Sequence, residues 1–191
     1  MQRIGIFGGS FDPVHHGHLL VAQAAFEELE LNRLFFVPAA QSPFKQSTAP
    51  SPSPVRARLL RLALADRNWC EVDEQEIRRT GVSYTVDTLR DYAARFAGAE
   101  LFYLIGADNV AALPQWREAA ELARLAEFVV IPRPGEMPAP LPVPFRGRTL
   151  RGWPFGVSSS EIRARVKAGK TITHLVPAAV DEAICNNPLY L

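Results

Sequence analysis

Gly8-Gly9-Ser10-Phe11-Asp12-Pro13-Val14-His15-His16-Gly17-His18 is the stretch that decides how this chain is read. It follows the apolar run Ile4-Gly5-Ile6-Phe7 and precedes a helical pattern beginning near Leu19. A strand over residues 3–7, a glycine-rich turn and a helix start therefore meet in one short segment, which holds three of the chain's four histidines. Gly8 and Gly9 carry no side chain, so a phosphate can approach the backbone and positive φ is open to both. The helix start offers unpaired N–H groups and a positive dipole end to an anion. His15 and His18 are three apart and face the same way on a helical turn, and Gly17 keeps that side open. Both imidazoles can donate to phosphate oxygens, more strongly when charged. No Gly-Lys-Ser/Thr follows, and Gly5, Gly8 and Gly9 lack the dinucleotide-fingerprint spacing. The bland alternative is a tight turn with surface histidines.

Outward from this segment the chain alternates short apolar strands with helical patterns. Residues 33–37 and 101–105 read as buried strands, with shorter ones at 69–72, 128–131 and 149–150. Helices are expected over 19–29, from Ser53-Pro54 to about residue 65, from Thr85 along Val86, Leu89, Tyr92, Ala93 and Phe96, and at 115–125, 159–168 and 178–185. Residues 38–54 read as loop. Residues 132–144 carry a proline every few positions, which excludes helix and central strand and marks an excursion. The alternation predicts an α/β fold, a Rossmann-like doubly wound parallel sheet with helices on both faces and a small C-terminal helical part. Ligands bind beyond the carboxyl ends of such strands, so residues 8–18, 41–45 and 106–108 are expected on one rim.

Composition sets the bounds. The chain has 191 residues, 48% of them hydrophobic, and a formal net charge of +1. One domain spanning residues 1–191 is expected. The charge balance argues against a nucleic-acid partner, and any anion attraction must be local. Cys70 and Cys185 show no metal spacing and read as buried thiols of a reducing compartment. There is no signal-peptide pattern and no apolar run of the ~20 residues that span a bilayer. The expectation is a soluble cytoplasmic protein with no membrane partner.

Other residues invite two readings each. Ser158 and Glu161 stand at capping-box spacing, yet a hydroxyl-rich helix start with Arg163 one turn in is also an anion site. Lys45 is either a solvated loop lysine or a phosphate ligand. Thr85 is explained by capping alone, Trp116 by packing, and Asp108 by capping or by accepting ribose hydroxyls.

GGSFDPVHHGH resembles the first signature of the nucleotidyltransferase superfamily, whose shared element is a His/Thr-x-Gly-His turn. Within it the chain resembles the bacterial nicotinate mononucleotide adenylyltransferases, through that segment and through VSYTVDTL (82–89), IGADNVAALPQW (105–116) and VSSSEIR (157–163). The resemblance implies adenylyl transfer from ATP to nicotinate mononucleotide, giving nicotinate adenine dinucleotide and pyrophosphate, with Mg2+ bound mainly through the ATP phosphates. It implies catalytic roles for His15, His18, Lys45 and Arg163. It implies ATP contacts from Gly8, Gly9, Ser10, Phe11, His15, His18, Gly106, Asp108, Arg133, Ser158, Ser159 and Arg163, and mononucleotide contacts from Tyr84, Thr85 and Trp116. Phe44 stands where the family usually has a histidine before its basic residue. No acidic cluster suggests a metal held by the protein itself. The rivals are a superfamily enzyme with another acceptor, such as phosphopantetheine, and a nucleotide sensor without turnover. A homo-oligomer is compatible with the sequence.

Overall fold

The computed structural model describes residues 1–41, 43, 50–132, 134–135, 139–153 and 155–191. Strands β1 (Arg3–Gly9), β2 (Arg33–Pro38), β3 (Cys70–Val72), β4 (Glu100–Gly106), β5 (Glu127–Ile131) and β6 (Gly147–Thr149) form one parallel sheet in the order β3-β2-β1-β4-β5-β6. The helices are α1 (His16–Glu28), α2 (Ser53–Leu64), α3 (Gln75–Arg79), α4 (Thr85–Arg95), α5 (Ala119–Leu125), α6 (Ser159–Lys167) and α7 (Ala178–Asn186). A 3-10 segment, Ala107–Gln115, follows β4.

The period-two geometry of a strand sends alternate side chains to opposite faces, and both faces are buried. Leu34 and Phe36, Phe102 and Leu104, and Val129 point to one core, with Leu19, Ala22 and Ala25 of α1, Leu59 and Leu60 of α2, Ile162 of α6 and Val180 of α7. Ile4 and Ile6, Phe35 and Val37, Tyr103 and Ile105, and Phe128 and Val130 point to the other, with Val86, Leu89 and Tyr92 of α4 and Leu122 of α5. This is the expected doubly wound arrangement. From β1 the chain winds outward to β2 and β3, and from β4 outward to β5 and β6. The strand order therefore reverses between β1 and β4, and a crevice opens at their carboxyl ends.

Several expectations need correction. β1 continues through Gly8 and Gly9, and neither has positive φ; the left-handed residue of the turn is Phe11, at φ 47. A side chain at Gly8 would lie 2.6 Å from the Tyr103 hydroxyl, so that glycine serves close packing of β1 on β4. α1 begins at His16, which puts Gly17 and His18 in its first turn. α2 and α4 begin on Ser53 and Thr85 themselves, with Pro52 and Tyr84 at the N-cap positions. Residues 115–118 are not α-helical: Pro114 lies inside the 3-10 segment and lacks the N–H that an α-helix needs there. The short α3 has too few residues to show a period. Cys70 is buried as expected, but Cys185 is exposed. No helix among the described residues is long and apolar enough to cross a membrane.

Candidate active site

The crevice holds two adjoining lobes, of about 630 Å³ and about 460 Å³, which share Phe7, Gly9, Ser10, Gly106 and Asn109. The larger is lined by His15, His18, Asp108, Ser158, Ser159, Ser160 and Arg163, and the smaller by Tyr84, Thr85, Tyr103 and Trp116. The imidazoles of the first turn and the guanidinium of α6 thus face one cleft, although 145 or more residues separate them (163 minus 18).

His15 is the N-cap of α1, in extended conformation, and its ring lies 3.7 Å from that of His18, centroid to centroid, at 30°. The His15 backbone N–H donates to Nδ1 of His18 at 3.2 Å. A backbone amide can only donate, so Nδ1 is unprotonated and the neutral ring carries its proton on Nε2. Gly17 leaves room for the stack, since a Cβ there would meet Nδ1 of His15 at 3.0 Å, a tight contact. Phe11 packs edge-on against His18, with ring centroids 5.0 Å apart.

α6 meets this turn through its N-terminus. The Ser158 hydroxyl accepts the Glu161 N–H at 3.1 Å, the expected cap. Ser159 donates its hydroxyl to Pro13 O at 2.9 Å, and Arg163 donates to Asp12 O at 2.7 Å and to the Ser160 hydroxyl at 3.2 Å. Two of the helix's polar side chains are therefore tied to the backbone of the loop that carries the histidines. Across the cleft, Asp108 follows Gly106, and its carboxylate folds so closely over that glycine that a Cβ there would lie 2.6 Å from Oδ1. Lys45 and Arg133 lie outside the described residues.

In the smaller lobe the Thr85 hydroxyl and the Tyr103 hydroxyl are 3.3 Å apart. Burial pushes the Tyr103 phenol up, as does the nearby Glu76 carboxylate. Trp116 meets the Tyr103 ring edge-on at 6.3 Å. The Arg117 guanidinium sits 4.7 Å over the Tyr84 ring. The N-terminus of α4, an eleven-residue helix, opens beside these groups and favours an anion.

Sequence reasoning missed several residues that shape the site. Arg56 has no solvent exposure and donates to Ser10 O, Ala39 O, Ala40 O, Ser51 O and the Ser53 hydroxyl. Burial lowers its pKa, while Asp12 and then Tyr190 oppose that shift. Glu76 is buried, lines the smaller lobe and accepts the Thr88 hydroxyl at 2.6 Å; burial raises its pKa. Asn109 borders both lobes. An arginine on an amphipathic helix carries no mark of burial, so Arg56 had no signal. Asn109 had one, in its place directly after Asp108.

Among the described residues no group of three or more His, Cys, Asp or Glu could hold a metal ion. Asp12 is committed, its two carboxylate oxygens accepting from Ser51 N–H and the Tyr190 hydroxyl. The donor set suits a hard cation that arrives on phosphate oxygens with its waters.

A parallel sheet of this order, with a helix-start turn at its switch point, defines a Rossmann-like nucleotide-binding protein. The comparisons with known proteins narrow this further. Residues 6–165 match the cytidylyltransferase-like family model. A probable nicotinate-nucleotide adenylyltransferase of Opitutus terrae is 42% identical over 179 residues, 92% of this chain and 91% of its own. One of Geobacillus kaustophilus is 42% identical over 191 residues, 100% of this chain and 87% of its own. A solved Plasmodium falciparum nicotinic acid mononucleotide adenylyltransferase complexed with NaAD has the same fold, with a TM-score of 0.82, 17% identity, and coverage of 100% of this chain and 98% of that one. The chain belongs to the nicotinate-nucleotide adenylyltransferases, within the cytidylyltransferase-like family.

Proposed function

We propose that this protein transfers the adenylyl group of ATP to nicotinate mononucleotide, forming nicotinate adenine dinucleotide and releasing pyrophosphate. The observation that carries the reading is the two-lobed cleft at the β1/β4 switch point, in a chain whose relatives bear that activity in their names. The larger lobe takes ATP and the smaller takes the mononucleotide, so that the two phosphates meet over Gly9 and Ser10. In this reading residues 1–191 act as one nucleotidyltransferase domain in the cytoplasm, without nucleic-acid or membrane partners.

The nucleophile is a phosphate oxygen of the mononucleotide. With a second pKa of about 6 it is already largely ionised at neutral pH, so no strong general base is required. That oxygen forms a bond to the α-phosphorus, the bond from the α-phosphorus to the bridging oxygen breaks, and pyrophosphate leaves with the electron pair. The protein aligns the two groups and stabilises the charge that develops. His15 and His18 donate to the α-phosphoryl oxygens. Gly8, Gly9, Ser10 and Phe11 bring backbone close to the phosphates. Arg163, Lys45 and the amides at Ser158 and Ser159 hold the β- and γ-phosphates. Asp108 accepts the ribose hydroxyls beside Gly106, and Arg133 reaches the nucleotide. The amides at Tyr84 and Thr85 hold the nicotinate carboxylate, and Trp116 stacks on the electron-poor ring. Magnesium bound to the phosphates would withdraw charge from them as the leaving group departs.

The test is a pyrophosphate-release assay with ATP and, in parallel, nicotinate mononucleotide, nicotinamide mononucleotide and phosphopantetheine. Turnover fastest with the first is expected. Turnover with phosphopantetheine alone, or ATP binding without any release, would replace the reading with one of its rivals.

A further inference from the structure

We infer that Tyr190 is a positioning residue for the phosphate-facing turn: its hydroxyl holds Asp12, and Asp12 in turn orients Arg163 and the start of α1. The inference rests on the reading of the larger lobe as the triphosphate site. The Tyr190 hydroxyl donates to Asp12 Oδ1 at 2.9 Å, across 178 positions of sequence. The other carboxylate oxygen accepts the Ser51 N–H at 3.0 Å. The carbonyl of the same residue accepts Arg163, and the next carbonyl, of Pro13, accepts Ser159. Segments leading into α2, within α6 and beyond α7 thus converge on two residues of one turn.

Asp12 is 6% exposed, so water is a poor substitute for any partner it loses. Both sides of the contact adopt left-handed backbone, Phe11 at φ 47 immediately before Asp12 and Tyr190 at φ 67. Non-glycine residues hold that conformation at a cost, and it persists where surrounding contacts over-determine it. Burial, reinforced by Asp12, pushes the Tyr190 phenol up, so the hydroxyl remains a donor throughout the neutral range. The ring itself packs against the core that includes α2 and α7. A phenylalanine would keep that packing and remove only the hydroxyl. Left with one partner, the Asp12 carboxylate would loosen its hold on the turn, and the Asp12 carbonyl that accepts Arg163 would shift with it, moving the guanidinium from its place facing the phosphates.

The experiment is Tyr190→Phe in the full chain, read by kinetics and by amide hydrogen exchange. Expected is a fall in kcat of about tenfold with KM for nicotinate mononucleotide within about twofold of the parent's. Faster exchange is expected at the Ser51 and His16 amides, with α4 unchanged. Adding the change to Asp12→Ala should deepen that variant's loss little, since alanine already removes the oxygen that accepts Tyr190. Parental exchange at Ser51 and His16 overturns the inference whatever the kinetics, and so does a loss shared equally by KM for the mononucleotide. A parent chain that makes no dinucleotide fails the functional reading instead, and the exchange comparison still decides the role of Tyr190.

Discussion

The imidazoles of His15 and His18 stack 3.7 Å apart, and the backbone of the first holds Nδ1 of the second. One residue caps the helix while the other, three positions on, returns a hydrogen bond to that cap. The arrangement resembles a capping box built from two rings. In the proposed function the same side chains that cap the helix would also contact phosphate, and neither ring can turn without disturbing the other.

His18→Ala is expected to lower kcat on the order of 10²–10³-fold with modest change in either KM, the effect of losing one preorganised donor. Steady-state kinetics check this. An alanine variant with parental kcat would take His18 out of the chemistry.

Arg163→Ala removes a guanidinium held by Asp12 O and the Ser160 hydroxyl. Loss of a charged donor is worth about 1.5–3 kcal/mol, or roughly 10- to 100-fold in kcat/KM for ATP. Arg163→Lys should recover only part, because an ammonium lacks the planar fork. Complete recovery by lysine would mean that charge alone matters there.

Trp116→Ala should raise KM for the mononucleotide by about tenfold, in keeping with an aromatic pair worth about 0.5–1.5 kcal/mol beyond its buried area. KM for ATP should stay as it is. A rise in KM for ATP instead would move Trp116 out of the smaller lobe's role.

Arg56→Ala leaves the carbonyls of Ser10, Ala39 and Ser51 without their buried donor. A loss of about 3–5 kcal/mol in unfolding free energy is expected, measured as a lower denaturant midpoint. Arg56 ties the turn after β1 to both ends of the connection between β2 and α2, so a variant still folded should also lose activity.

Glu76 supplies a pH test. Burial raises its carboxyl above the ordinary 4.5, against the pull of Thr88, Ser83 and Arg79. The folded state then binds more protons than the unfolded one between 4.5 and the raised value, so this group's contribution to stability falls as pH rises through that window. Glu76→Gln should therefore gain stability relative to the parent across the window and show a constant difference below it. Unfolding titrations of both chains at several pH values measure this. A difference that shrinks with rising pH would mean the carboxylate is stabilised rather than penalised by its site.

Where local pattern carries the information, the sequence was easy to read. The apolar runs at Leu34-Phe35-Phe36-Val37 and Leu101-Phe102-Tyr103-Leu104-Ile105 announced buried parallel strands, because a strand covered on both faces needs no polar alternation. Ser158 and Glu161 announced the α6 cap, which depends on a spacing of three. The end of the 3-10 segment reads as helix in the sequence because Trp116 continues the apolar pattern of α5, while Pro114 acts on backbone hydrogen bonding and not on that pattern. Gly8 was expected to supply a turn and instead makes room for a hydroxyl from a neighbouring strand, which no reading of residues 1–18 could contain.

Motifs and short-range spacing were enough to specify an α/β fold, the two histidines that line its switch-point cleft and the family to which the chain belongs. They are local quantities, set by helix and strand periods and by the chemistry of adjacent residues. Three-dimensional packing alone established that Arg56, Asp12 and Tyr190 brace the turn, that Glu76 is buried beside the smaller lobe, and that the two lobes meet over Gly9. Those facts depend on contacts between segments as much as 178 positions apart, and such contacts arise from how two cores close on one sheet, with no trace in any single window of sequence.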